Sequence, residues 1–200
     1  DLNLTDWLAL AKSNTSYLFD LIEKLVSIET PTRDKAANDE ISSFTANLMR
    51  SIEGEVTVHP ETEYGDHITI NWPAPDGSND KQHAFIVGHL DTVWPHGTLK
   101  RMGYSERKGR LYGPGVLDMK AGIATTIVGL QVLKRNNLWP NRPVKVLFNT
   151  DEEVGSPSSR PLVEHHAKGA AYALIMEPGQ GSNGALKTER KGLGEFRISV

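Results

Sequence analysis

Four groups of residues able to bind a cation or move a proton lie just past apolar runs of the chain: His89 with Asp91, Asp118, the adjacent pair Glu152 and Glu153, and Glu177. Residues 84–87, 144–148 and 171–176 are short and mostly apolar, as buried strands are. Between the first two, Ile123, Ile127, Leu130 and Leu133 recur at three- and four-residue spacings and predict a helix over residues 121–134. Strand, helix, strand implies a parallel crossover. Open sheets of that kind bind ligands beyond the carboxyl ends of their strands. His89 and Asp91, Glu152 and Glu153, and Glu177 then share one edge, where imidazole and carboxylates together make a metal site and metal-assisted hydrolysis the leading reading.

Each group also has a plainer reading. A lone histidine after a strand is more often structural, although His89 two residues from Asp91 suits an imidazole on a metal with a carboxylate steering its other nitrogen. Asp118 follows the Gly113-Pro114-Gly115 turn and could serve only as a helix N-cap. Asp151, Glu152 and Glu153 together read equally as a solvated acidic turn. Adjacent Glu152 and Glu153 cannot both point the same way from an extended loop, so they suit two roles, one on a metal and one on water. Four such groups at strand ends are harder to explain by chance than any one of them.

The 200 residues suffice for one sizeable core. A net charge of −3 without a Lys or Arg run gives no electrostatic case for nucleic acid, so a small substrate is the better expectation. With no cysteine, disulfides and thiolate ligands are excluded, and a transition metal must be held by imidazole and carboxylate. No run reads as apolar for long enough to span a bilayer, and no signal-peptide core is visible. Because the chain begins at Asp1, a cleaved signal stays open, and the sequence leaves the compartment open between cytoplasmic and, after signal removal, secreted or periplasmic. Asn3 and Asn14 match the glycosylation acceptor pattern, a match that is common by chance.

Apolar periodicity predicts helices over residues 17–28 and 35–50, and alternation predicts strands over residues 55–59 and 67–72. Turn formers make surface loops of residues 73–80 and 178–184. Strand-like alternation resumes through Phe196, Ile198 and Val200.

Gly88-His89-Leu90-Asp91-Thr92, Gly113-Pro114-Gly115-Val116-Leu117-Asp118-Met119-Lys120-Ala121-Gly122, Asn149-Thr150-Asp151-Glu152-Glu153-Val154-Gly155 and Met176-Glu177-Pro178 resemble, in order, the motifs of the zinc-dependent carboxypeptidase and aminoacylase superfamily. The likeness covers nearly the whole chain and is nearest to the bacterial glutamate carboxypeptidases. It implies a three-layer α/β/α fold of the zinc-exopeptidase (phosphorylase/hydrolase-like) type, with a mostly parallel central sheet. It implies two zinc ions bridged by Asp118 and a water, His89 and Glu177 on one ion and Glu153 on the other, Asp91 orienting His89, and Glu152 as general base. It also makes Asp118-Met119 a candidate cis peptide. The substrate class implied is a peptide or N-acyl amino acid, with glutamate favoured at the C-terminal side.

The sequence departs from the pattern in one respect. The second zinc normally takes a late histidine, and residues 178–200 contain none. His165 and His166 read as surface residues of a helix, and His59, His67, His83 and His96 match no ligand motif. Residues 191–200 resemble the first strand of the family's lid, through which its homodimers form. The expectation is therefore a catalytic domain over residues 1–188, the start of a lid over 189–200, and a chain that binds one metal better than two and is weak or inactive alone. A non-catalytic metal-binding or interaction module that keeps the fold is the alternative. A two-carboxylate glycosidase leaves the imidazole unexplained.

Overall fold

The computed structural model describes residues 2–78, 81–192, 194 and 196–199. Helices α1 (Leu4–Ser13), α2 (Thr15–Ser27) and α3 (Lys35–Arg50) lead into strands β1 (Glu55–His59), β2 (His67–Trp72) and β3 (His83–His89). A short helix α4 (Thr98–Met102) and a hairpin of β4 (Ser105–Arg107) and β5 (Arg110–Tyr112) follow. Then come α5 (Ala121–Arg135), β6 (Val144–Asn149), α6 (Arg160–Ala167) and β7 (Ala170–Ile175).

The sheet runs β1-β2-β6-β3-β7. Pairings of β3 with β6 and with β7 are parallel, whereas β2 is antiparallel to both β1 and β6. The crossover expected from strand, helix, strand is thus present, with β3 and β6 adjacent and α5 between them in the chain.

Alternation along each strand separates two layers of helix. Ile86, Val146 and Ile70 face one side, where they form a core with Leu25 and Val26 of α2, Ile41 and Met49 of α3, and Ile123 and Ile127 of α5. Each such side chain contributes about 1.5–3 kcal/mol by leaving water. Phe85 faces the other side, against the His166 ring of α6 at a centroid distance of 5.9 Å. Both faces carry helix, as the three-layer expectation requires.

The helix ends follow from local chemistry. Asn3 caps α1 in a reciprocal box with Asp6, and Asp34 caps α3 through the amide of Ala37. By length and composition the run Val116–Arg135 is apolar enough to cross a membrane, contrary to the reading from sequence. It is a core element here, broken by non-helical backbone at Asp118 and Met119, with α5 mostly buried against the sheet.

The strand expected over residues 191–200 is not formed among the described residues, where Phe196 and Ile198 are exposed and pair with nothing. Alternation alone does not make a strand without a neighbour to bond. Leu193, Glu195 and Val200 of that stretch, and Asn79 and Asp80 of the loop before β3, lie outside the described residues.

Candidate metal centre

Three parallel strands end level with one another. His89 of β3 is opposite Asn149 of β6, and the amide of Met176, just past β7, bonds the carbonyl of Val87 at 3.0 Å. The next residues of each strand therefore turn out over one rim. β3 delivers His89 and then Asp91, β6 delivers Glu152 and Glu153 on a single 3₁₀ turn, and β7 delivers Glu177.

Asp118 arrives from the side, on the turn that precedes α5. The Asp118-Met119 peptide is cis, the isomer that the resemblance implies. Asp118 does not cap α5, whose N-cap position is Lys120. The helix is seated by Gly122, where a Cβ would lie 2.0 Å from the carbonyl oxygen of Met176. Only glycine lets the first turn of α5 come that close to the residue before Glu177.

His89 lies at the floor of the rim, 1% exposed, while the side chains of Asp118, Glu152 and Glu177 are 56%, 47% and 24% exposed above it. Its Nδ1 donates to the backbone carbonyl of Asp91 at 2.9 Å and stands 3.4 Å from the Asp91 carboxylate. A carbonyl only accepts, so the proton of a neutral ring belongs on Nδ1 and the lone pair on Nε2. That Nε2 faces Asp118 Oδ1 at 3.0 Å, Glu177 Oε1 at 3.3 Å and Glu152 Oε2 at 3.9 Å.

An imidazole lone pair pointed at carboxylate oxygens requires a cation between them. Without one, the ring takes a proton. Burial would depress its pKa, but hydrogen bonds to Asp91 and Glu177 and the charges of Asp91 and Glu152 push it up to about 11. The hydrogen bond from His89 holds Glu177 below the ordinary carboxylate range. Burial raises Glu152, reinforced by Glu177, Asp91 and Asp118. Glu153 is pushed up to about 7, first by burial and then by Asp118, Asp91 and Glu152, with His89 opposing.

Donor atoms gather in two sets, His89 with Glu152 and Glu177, and His89 with Asp118 and Glu153, each within 4.8 Å. A set of one imidazole and carboxylates, one nitrogen and several oxygens, suits a divalent zinc-like ion. All six residues singled out from sequence meet here. Glu152 falls in the set with Glu177, and Glu153 in the set with Asp118. His165, His166, His59, His83 and His96 belong to neither set.

With this geometry in view, similarity to known proteins becomes informative. Residues 85–190 match the model of peptidase family M20/M25/M40, and the chain is 31% identical over 181 residues to carboxypeptidase G2 of Pseudomonas sp. (strain RS-16). The chain belongs to peptidase family M20/M25/M40. That match covers 90% of this M20 chain and 43% of carboxypeptidase G2, so the chain spans less than half the length of that relative. Acetylornithine deacetylase of Proteus mirabilis is 25% identical over 155 residues, covering 74% of this chain and 38% of that protein. Among solved structures, an M20 metallo-carboxypeptidase of Sulfolobus solfataricus superposes with a TM-score of 0.66 at 18% identity, over 84% of this chain and 38% of its own. Human carnosine dipeptidase 1 gives 0.69 at 19% identity, over 82% and 39%. These two establish the M20 catalytic fold, a mixed α/β domain with a mostly parallel sheet.

Several buried residues beside this rim escaped the sequence reading. Asp151 is not part of a solvated acidic turn. It is fully buried and accepts from the amides of Ser158 and Ser159 and from both their hydroxyls, at 2.6–3.1 Å. His67 is buried beside it. Its Nδ1 accepts from the amide of Thr150 at 3.2 Å, which leaves Nε2 to donate to Ser158 Oγ at 2.9 Å. Lys120, 2% exposed, donates to the carbonyl of Ile28, and burial pushes its amine down to about 7, with the Glu29 charge opposing. No local sequence signal marks these residues, whose surroundings are set by what packs against them.

Proposed function

We propose that this chain is the catalytic part of a metal-dependent hydrolase that cleaves the amide bond of an N-acyl or peptidyl amino acid, with a glutamate-like residue favoured on the C-terminal side. The observation that carries the reading is the position of His89 Nε2, which faces carboxylate oxygens of Asp118, Glu177 and Glu152, so that only a proton or a metal cation can lie between them. In this reading His89, Glu177 and Asp118 would hold one zinc ion, and Glu153 together with Asp118 would hold a second. Bound zinc would polarise the scissile carbonyl and make water acidic enough to attack near neutral pH.

The chain's own groups supply the rest. Asp91 fixes the ring of His89 through Nδ1, so that Nε2 stays free to bind. Glu152, its carboxyl raised by burial and by its acidic neighbours, takes a proton from water at Oε2 as the water oxygen bonds the carbonyl carbon. It then gives that proton to the amine nitrogen as the carbon–nitrogen bond breaks, leaving a free amine and a carboxylic acid whose remaining proton, the second from the water, passes to the amine or to solvent. The preference for glutamate follows the likeness to bacterial glutamate carboxypeptidases. The deacetylases and desuccinylases among the relatives support the acyl-amino-acid class.

Both donor sets draw on the same imidazole, so the described residues hold one ion better than two. The test is zinc per chain by mass spectrometry, with hydrolysis of N-acyl glutamates, on wild type, His89→Ala and Glu152→Ala. Zinc lost in His89→Ala and retained in Glu152→Ala is expected, with any turnover lost in both. Wild type that takes up no zinc from a buffered solution overturns the reading in favour of a non-catalytic module.

A further inference from the structure

The Asp91 carboxylate is fully buried and holds two parts of the rim at once. Oδ1 stands 3.4 Å from His89 Nδ1 and accepts from the amide of Glu152 at 3.3 Å, and Oδ2 accepts from the amide of Glu153 at 3.2 Å. These are long bonds. The shortest contact to the carboxylate comes from elsewhere, the hydroxyl of Thr32, which donates to Oδ2 at 2.8 Å.

Thr32 lies between α2 and α3, in a segment that runs beside residues 90–92. Thr30 Oγ1 donates to the carbonyl of Leu90 at 2.8 Å, the amide of Thr92 to the carbonyl of Thr30 at 2.8 Å, and the amide of Thr32 to the carbonyl of Thr92 at 3.3 Å. The Thr32 backbone is therefore set before its side chain acts. Its hydroxyl has one proton and two acceptors in reach, the other being the Thr92 carbonyl at 3.5 Å. The nearer and charged acceptor takes it. Terminal carboxylate torsions are broad, so without this bond two long amide contacts would leave the Asp91 carboxylate free to turn from His89 Nδ1.

We infer that Thr32 is a positioning residue of the site, its hydroxyl setting the plane of the Asp91 carboxylate and through it both the His89 ring and the backbone that carries Glu152 and Glu153. The inference rests on the proposed roles of His89 and Glu152. It adds a residue that touches neither substrate nor metal.

The experiment compares Thr32→Val, nearly equal in shape but without the hydroxyl, with Thr32→Ser, which keeps it. Amide hydrogen exchange at Glu152 and Glu153 is measured in the metal-free chain, and zinc affinity by competition with a chromophoric chelator. Thr32→Val is expected to speed exchange at both amides about fivefold and to weaken zinc binding about tenfold. Thr32→Ser is expected to hold both at the wild-type level. Unchanged exchange in Thr32→Val overturns the inference. So does Thr32→Ser behaving like Thr32→Val, a comparison that still decides if the valine variant folds poorly. Because the exchange readout needs no metal, a wild type that binds no zinc would sink the proposed function and leave this inference to be judged by its own data.

Discussion

Zinc binding should release protons in a number that the geometry fixes. In the metal-free chain His89 holds an extra proton, with its pKa pushed up to about 11, and Glu153 titrates at about 7. Both must give up their protons when an ion takes the set of His89, Asp118 and Glu153. At pH 7 the imidazole is almost fully protonated and Glu153 about half so, and uptake of zinc should release about 1.5 protons. At pH 9 Glu153 is already ionised and the release falls to about 1. Glu153→Gln removes the smaller share, leaving about 1 at either pH, so its difference from wild type is about 0.5 at pH 7 and near zero at pH 9. Comparing the two proteins cancels any proton lost by water common to both. Titration calorimetry in two buffers of different ionisation enthalpy counts the protons directly. Apparent affinity should rise about tenfold per pH unit between 7 and 9. Equal release by wild type and Glu153→Gln at pH 7, or an affinity flat with pH, would refute the assignment of charge made here.

Three further outcomes follow from named contacts. Asp151→Ala strands the amides and hydroxyls of Ser158 and Ser159 and should cost about 3 kcal/mol in denaturant titration. Despite burial, hydrogen bonds from Ser159 and Ser158 hold the Asp151 carboxyl below its ordinary range, so its contribution is present above about pH 4 and fades as pH falls further; a loss independent of pH between 2 and 6 would contradict this. Glu153→Gln should stabilise the metal-free chain at pH 8, by about 1 kcal/mol once screening by water is allowed for. Wild type loses stability as pH rises from the unfolded carboxyl range through about 7, so the gain should vanish below about pH 4.5, as thermal melts at both ends would show. Gly122→Ala places a Cβ 2.0 Å from the Met176 carbonyl and should lower stability by about 1–2 kcal/mol despite better helix propensity, with zinc affinity falling as Glu177 is displaced; a raised melting temperature would be the contrary result.

Periodicity made much of the frame legible. Helix α3 and strands β1 and β2 have the bounds that apolar spacing predicts, β3 and β6 extend by a residue or two beyond their apolar runs, and β7 lies one residue earlier than its run. Local pattern could not show that β6 enters between β2 and β3, because pairing partners lie far apart in the chain. Helix α1 went unread because its apolar side chains are largely exposed. The β4-β5 hairpin turns on Lys108 and Gly109, both at positive φ, a two-residue signal easily lost in a polar stretch. At the site, residue type and position past a strand sufficed to gather His89, Asp118, Glu152, Glu153 and Glu177. The same reasoning could not find Thr32 or Asp151, whose roles are set by what packs against them, since neither carries a mark that separates it from any other polar loop residue.

The strand order also bears on how the chain is made. Since β6 separates β2 from β3, a polypeptide emerging from the ribosome can zip β1 to β2 early, yet β3 has neither flanking strand until residue 149 is free. His89 is synthesised long before Glu152, Glu153 and Glu177. The acidic rim is then assembled only when the sheet closes, and a growing chain offers stray cations no finished cage in the interval.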